Sequence, residues 1–438
     1  FQMKATAVGK DTLLAHIIAI VQEAQSSKAP LQRLADKVAS IFVPTVLVIG
    51  ILTFFIWLFF GPTPAFLFAF LNFVAVLIIA CPCALGLATP TAIMVGTGKA
   101  AQQGILIKGG ETLETIRRVD TIIFDKTGTL TKGKPVVTDV VAFQGDEKNV
   151  LKFAAVAEKH SEHPLSQAVL AYAHQHAMTI PEPHSFKAHP GKGIVAKYLG
   201  KQIAVGNRRL MQEQHIDIRH LETRLQGMES AGKTAVIVAI NAVAVGVLGI
   251  ADVPKEYAAA AVMTLQRLGK QIIMITGDNE RTAQAIAREL HINSIMASVL
   301  PQDKAQKVKE LQQQGHVVAM VGDGINDAPA LAQADVGIAL GSGTDVAMET
   351  GQVVLIKNDL RDVVTAIDLS MYTVKKIKQN LFWAFVYNVV GIPIAAGVLY
   401  PFTGFLLNPM IAGGAMAMSS VSVVLNSLSM KLYKPKLR

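Results

Sequence analysis

Thr121-Ile122-Ile123-Phe124-Asp125-Lys126-Thr127-Gly128-Thr129-Leu130-Thr131 is the stretch from which the fold can be read. The apolar run 121–124 reads as a buried strand of a mostly parallel sheet. It ends on an aspartate, and a Thr/Gly/Thr turn follows. Open α/β sheets place ligands beyond the carboxyl ends of their strands. A carboxylate there, with backbone N–H groups and hydroxyls around it, can attack a phosphoryl group and form an aspartyl phosphate. A lone Asp-Lys-Thr-Gly would more simply be an Asx turn closing a strand. The neighbouring sequence separates the two readings.

Apolar strands recur at 271–275, 317–321, 336–340 and 353–356, with helical stretches such as 254–268 and 282–290 between them. This alternation predicts an α/β domain with a parallel sheet. The piece 139–250 differs in character. It holds most of the histidines and ends in two strand-like runs, 234–240 and 242–250, joined near Asn241. It reads as a separate α+β domain inserted after the Asp125 strand.

Three further motifs follow strands. Thr276-Gly277-Asp278 offers a hydroxyl and backbone amides for phosphate oxygens. Lys304, in Pro301-Gln302-Asp303-Lys304, can neutralise the same phosphate as a point charge. Gly322-Asp323-Gly324-Ile325-Asn326-Asp327 offers hard oxygen ligands suited to Mg²⁺. Each alone is a common turn. Together they set an Asp, a Thr, a Lys and a second Asp cluster at successive strand ends of one sheet. In the inserted piece, Glu158, His163-Pro164, Gly191-Lys192-Gly193 and Gly206-Asn207 suggest an adenine pocket. A ring or carboxylate would orient the base, and glycines would let the nucleotide approach the backbone. Surface histidine and loop glycines are the plainer alternative. Gly227-Met228-Glu229-Ser230-Ala231-Gly232-Lys233-Thr234 fits the Walker A pattern by letter. A true P-loop lies between a strand and a helix. Here a helix (218–226) precedes and a strand (235–240) follows, so this motif is rejected.

The composition points to a membrane. Hydrophobic residues make up 51% of the 438 and mean hydropathy is +0.40. This is too apolar for an ordinary soluble enzyme. The net charge of +9 is not gathered into one nucleic-acid-binding stripe. Much of it flanks four apolar runs, 41–60, 66–95, 381–400 and 410–430, each read as a span. The short loops 61–65 and 401–409 carry no Lys or Arg, whereas Lys375, Lys376, Lys378, Lys431, Lys434 and Lys436 lie at the other ends. The asymmetry predicts that 96–378 and both chain ends are cytoplasmic. The residues 1–40 suggest an amphipathic stalk helix that starts at Asp11-Thr12. The chain begins with Phe, so it is expected to be a piece of something longer.

Cys81-Pro82-Cys83 holds the only cysteines, too few and too close together for a disulfide framework. On an ideal helix residues two apart point roughly 200° apart. Pro82 removes a backbone N–H and can unwind the helix, so that both thiols reach one ion. Thiolates select soft ions such as Cu(I). Two buried apolar thiols beside a kink remain the alternative. Tyr387-Asn388 lies midway along the third expected span, and Met416 and Ser420 share a face of the fourth. Packing and interhelical hydrogen bonding, to which Ser419, Ser422 and Asn426 could contribute, are the competing role. None of the four runs contains Asp, Glu, Lys, Arg or His. Neutral sulfur, amide and hydroxyl donors suit Cu(I) or Ag(I) better than Zn(II) or Co(II).

On these motifs the chain resembles the heavy-metal branch of the P-type ATPases, most closely its copper(I)-exporting members. The likeness runs from Ala24-Gln25-Ser26-Ser27-Lys28-Ala29-Pro30 to the last apolar run. It implies a membrane α-helical part plus a haloacid-dehalogenase-like α/β phosphorylation domain with an inserted α+β nucleotide-binding domain. The implied boundaries are 1–40 for the end of an actuator domain and stalk, 41–95 and 379–438 for membrane helices, 96–138 with 251–378 for phosphorylation, and 139–250 for nucleotide binding. It implies that ATP phosphorylates Asp125 and that Lys126, Thr127, Thr276, Gly277, Asp278, Lys304, Asn326 and Asp327 complete the phosphate site. Mg²⁺ would be held by Asp125, Asp323 and the Thr127 carbonyl. Glu158, His163, Gly191, Gly193 and Gly206 would bind nucleotide, and Cys81, Cys83, Tyr387, Asn388, Met416 and Ser420 would bind Cu(I). The family further implies a bacterial plasma membrane, a cytoplasmic copper chaperone as donor, no nucleic-acid partner, and an actuator domain with a Thr-Gly-Glu loop and metal-binding regions upstream. No Thr-Gly-Glu occurs in this chain, so it is expected to accept phosphate without completing the cycle alone. A membrane-anchored phosphatase-like protein that binds metal but pumps nothing is the alternative from another class.

Overall fold

The computed structural model describes residues 29–161, 163–278, 280–323, 327–341 and 349–437, with residues 15, 18, 20, 22 and 24. Asn326 and the expected helix start at Asp11-Thr12 lie outside them. The chain forms two compact units, Asp120–Ala334 and the sequence on either side of it.

In the outer unit the apolar runs become long helices. Pro30–Phe60 starts on a proline, whose missing N–H costs nothing in a first helical turn, and stops at Gly61. Large apolar side chains such as Phe59, Phe60, Phe66, Phe402 and Met410 face outward, as expected of a surface whose solvent is lipid. Three helices among the described residues are long and apolar enough to cross a membrane: Pro30–Phe60, Ala65–Gln102 and Pro409–Leu432. The expected run 381–400 is not among them. The run 381–400 forms the far half of Arg361–Ala395, a helix of 35 residues whose near half is polar. Pro393 lies in its last turn and Gly397 adopts a left-handed φ of +87°. A Cβ at Gly397 would overlap the Trp57 indole, which donates to the Ala396 carbonyl (2.9 Å). The helix therefore stops at Ala395, and its apolar half is too short to qualify. Short buried strands complete this unit. Ile105–Ile107 runs antiparallel to Val353–Leu355, which is parallel to Val336–Leu340.

The inner unit contains two sheets. Four parallel strands lie in the order Val318–Gly322, Thr121–Asp125, Gln271–Ile275, Ser294–Met296. All five residues of Thr121–Asp125 are buried, so the strand reads as a continuous apolar run rather than an alternation. The second sheet is antiparallel and six-stranded, in the order Thr131–Ala142, Val243–Pro254, Thr234–Ile240, Lys201–Gly206, Gly193–Tyr198, Ser185–His189. Its alternation sorts two cores. Val236, Val238, Ile203 and Val205 pack with the helices Glu147–Glu158 and Pro164–Gln175. Ile237, Ala239 and Ala204 pack on the other face with Leu210, Met211, Leu225 and Met228. The antiparallel pairing begins at Thr131, ahead of residue 139, because Val243–Pro254 continues far enough to meet it. For the same reason the helix expected at 254–268 starts only at Ala258.

Candidate active site and membrane donor cluster

Register places the strand ends side by side. Phe124 pairs with Val321 on one flank, and Asp125 with Ile275 on the other. Asp125, Thr276 and Asp323 therefore emerge at neighbouring carboxyl ends, where an open parallel sheet holds its ligand. Asp125 is buried, and its Oδ1 accepts from Lys304 Nζ at 2.6 Å. Lys304 opens the helix Lys304–Gln313 and also donates to Asp327 Oδ1 at 2.7 Å. Burial first, and then the Asp327 charge, push the Asp125 carboxyl up to about 6 in spite of Lys304. Burial likewise raises Asp327. Burial opposes the charge on Lys304, but Asp125 and Asp327 outweigh it and its pKa is raised.

The turn after Asp125 is tightly held. Gly128 takes a φ of +76°, which glycine tolerates without a Cβ clash. The Thr131 hydroxyl oxygen lies 2.9 Å from the Lys126 carbonyl, and Lys255 Nζ donates to the Gly128 carbonyl (2.7 Å). Asp252 accepts from the Thr131 hydroxyl (2.5 Å) and the Gly133 N–H (2.9 Å). Asp252 and Lys255 escaped the sequence reading. Their only signal is their place at the end of a strand that returns to the turn. Lys126 Nζ pairs with Asp278 Oδ2 at 2.5 Å, and the Asp278 N–H donates to Thr276 Oγ1 at 3.1 Å. Thr127 and Gly277 are exposed beside this pair, while Thr276 is buried. A Cβ on Gly322 would overlap the Asp327 carboxylate, so glycine there permits the close approach.

The donor set fits a hard divalent cation. Asp323 adds to the charge that raises Asp125, and Asp327 Oδ2 is buried with no hydrogen-bond partner among the described residues. Three carboxylates thus converge with one buried ammonium. Mg²⁺ takes one or two carboxylates together with phosphate oxygens and water.

A cavity of about 300 Å³ in the antiparallel domain gathers Glu158, His163, Gly191, Gly193 and Gly206. Gly193 has a φ of +143°, and a Cβ there or on Gly206 would overlap backbone of the adjacent strand. Both glycines therefore keep the two strands in contact at the cavity wall. Burial pushes the Glu158 carboxyl up to about 7, against the hydroxyls of Ser166 and Ser161. Ser166 donates to Glu158, and its oxygen lies 2.7 Å from Ser161 Oγ, whose hydroxyl can donate to it. These serines were missed because a serine near a helix start reads as a cap. His163 is exposed, and its Nδ1 caps the helix Pro164–Gln175 by accepting the Leu165 N–H (3.2 Å). The Walker-like segment forms no phosphate loop. The helix Glu222–Ser230 precedes it, the strand Thr234–Ile240 follows, and Lys233 pairs with Asp139 at 2.5 Å.

In the outer unit the helix breaks between Ile79 and Cys83, with Pro82 at φ −80° and ψ 35°. The break brings Cys81 and Cys83 together. They are paired as a local disulfide with Cα atoms 5.3 Å apart. In this form the sulfurs are not thiolates. Cys81, Tyr387 and Met416 pack in one apolar cluster with Ala80 and Ile392. Asn388 is buried beside Tyr387 in sequence, and Ser420 is half-buried one turn beyond Met416. The adjacent Ser419 hydroxyl is buried with no partner among the described residues. Asn426 ties helices together, donating to Asn380 Oδ1 (2.7 Å) and accepting from Lys376 (2.8 Å).

Residues 119–335 match the haloacid dehalogenase-like hydrolase family. The chain is 53% identical over 438 residues to a probable copper-exporting P-type ATPase of Archaeoglobus fulgidus, covering 100% of this chain and 54% of that protein. It is also 53% identical over 434 residues to the copper-exporting P-type ATPase of Bacillus subtilis, covering 99% and 53%. The chain thus spans about half the length of the curated relatives it matches. The crystal structure of a zinc-transporting PIB-type ATPase in its E2.Pi state superposes with a TM-score of 0.80 at 35% identity, over 97% of this chain and 68% of that one.

Proposed function

The chain belongs to the P-type ATPases of the PIB type, and we propose that it carries the phosphorylation, nucleotide and ion-binding parts of an ATP-driven copper(I) exporter. The observation that carries this reading is the buried Asp125–Lys304–Asp327 array at the end of a parallel strand. Lys304 occupies Asp125 Oδ1, which leaves Oδ2 to attack the γ-phosphorus of ATP in line with the departing ADP oxygen. The Oδ2–P bond forms as the P–O bond to ADP breaks, and Lys304 with the Thr276 hydroxyl balances charge on the transferred group. Asp323, Asp125 and the Thr127 carbonyl would hold Mg²⁺, which would supply charge neutralisation for the transferred phosphate. Gly277, Asp278 and Asp327 line the same site, and the family pattern assigns Asn326 to it by sequence. Glu158 and His163 orient the adenine, and Gly191, Gly193 and Gly206 let it approach the backbone.

Cu(I) is the cargo. Its donors are the reduced Cys81 and Cys83 with Tyr387, Asn388, Met416 and Ser420, a set without formal charge apart from the thiolates. Domain limits follow the reading from sequence, with residues 139–250 as the nucleotide-binding insert. A cytoplasmic chaperone delivers the ion to the bacterial plasma membrane, and phosphorylation of Asp125 opens the donor cluster to the far side. Replacing Asp125 by Asn in the whole protein is expected to abolish labelling from [γ-³²P]ATP. Labelling that survived the change would overturn the assignment.

A further inference from the structure

We propose that a basic cleft on the outer unit binds the headgroup of an anionic phospholipid. The cleft, of about 450 Å³, is lined by Arg117, Met371, Lys375, Lys378, Gln379 and Phe382. Five of these residues lie on Arg361–Ala395 at intervals of three to four, or one, so they share one face of that helix. Arg117 reaches the cleft from the last turn of Gly110–Arg118. Arg117, Lys375 and Lys378 are exposed, and none has a carboxylate partner among the described residues. Their neighbour Lys376 is used otherwise. It donates to Asn426 and lies over the Tyr372 ring at 5.6 Å. Three unpaired cations with no acid in the lining call for an anionic partner.

The rest of the lining chooses the source of that anion. Phe382 is 61% exposed and begins the apolar half of the helix, with Trp383 beside it at 49%. The cleft therefore sits where the helix passes from polar to lipid-facing sequence. A basic pocket at that level matches a phosphodiester headgroup whose glycerol and acyl chains continue past Phe382 along the apolar half of the helix. A free phosphate would use the cations and leave the apolar floor idle. The proposal needs only the membrane residence of the chain and stands apart from the copper reading.

The test uses the whole protein, delipidated in a neutral detergent and titrated with phosphatidylglycerol or phosphatidylcholine under native mass spectrometry. The wild type is expected to retain one phosphatidylglycerol in preference to phosphatidylcholine. The triple variant Arg117→Gln, Lys375→Gln, Lys378→Gln is expected to bind it about a hundredfold more weakly, from a factor of about five per cation at an anionic surface. The charge-preserving variant Arg117→Lys, Lys375→Arg, Lys378→Arg should keep binding, which separates loss of charge from loss of fold. Removing three exposed lysines elsewhere (Lys148, Lys152 and Lys187 to Gln) should change nothing. Equal retention by the neutralised and wild-type proteins would overturn the proposal. Displacement of the lipid by millimolar inorganic phosphate would also overturn it, because the site would then be one for free phosphate.

Discussion

The strand-end site and the membrane donor cluster solve opposite problems. Asp125, Asp327 and Lys304 are all buried, and the charges are tolerated because each carboxylate meets the ammonium within 2.7 Å. Removing one member of such an array leaves an uncompensated buried charge. The apolar runs that carry Cys81, Tyr387 and Met416 contain no acidic or basic side chain. In lipid, a permanent ion would lack both water and a sheet's ordered amides to hold it. The first region concentrates fixed charge. The second gathers neutral sulfur, amide and hydroxyl groups. Where charge can be solvated by the fold decides which chemistry each region hosts.

The sharpest way to break this contrast is at Lys304. Lys304→Ala is expected to cost the ligand-free protein about 3–5 kcal/mol, the range for a buried pair that loses one partner. Labelling of Asp125 from ATP should fall by about a hundredfold or more. Denaturant titration and phosphoenzyme assay measure the two, and a variant of unchanged stability would show that the buried charges are not coupled. In the other region, Cys81→Ser with Cys83→Ser in the whole protein should remove Cu(I)-dependent labelling while nucleotide binding persists. Cu(I) dependence that survived would remove the cysteines from the donor set. The smallest effect is the most diagnostic of burial. Burial pushes the Glu158 carboxyl up to about 7 from an ordinary value of 4.5. Its contribution to stability is therefore full below pH 4.5, falls as pH rises through that window, and is lost above 7. Glu158→Gln should lack this fall and be more stable above pH 7 by up to about 3 kcal/mol, at 1.36 kcal/mol per unit. Melting curves of both proteins across that range would show it, and parallel curves would place Glu158 in water.

How much was legible depends on the kind of contact. The strands Gln271–Ile275 and Val336–Leu340 coincide with their apolar runs because a strand buried on both faces has no other composition available. Helix starts were less legible. The helix at Ala258 is displaced by the strand Val243–Pro254, whose length is set by its partner Thr131 and by nothing local. The run 381–400 was apolar enough to suggest a span, yet Trp57 and Gly397, distant in sequence, end its helix at Ala395. Ser161 and Ser166 became supports of Glu158 only when two helix ends met at the cavity.

By itself the sequence determined the alternation of strand and helix, the acid at a strand end, the polar lead into an apolar helix and the break at Pro82. Each follows from local sterics or from hydropathy, which act along the chain. Only the tertiary structure decided that Lys304 bridges Asp125 and Asp327, that Asp252 and Lys255 brace the turn, and that Arg117 joins Lys375 and Lys378 in one cleft. These are pairings between residues far apart in the chain. Their energies depend on distance and burial, quantities that exist only once the elements have packed.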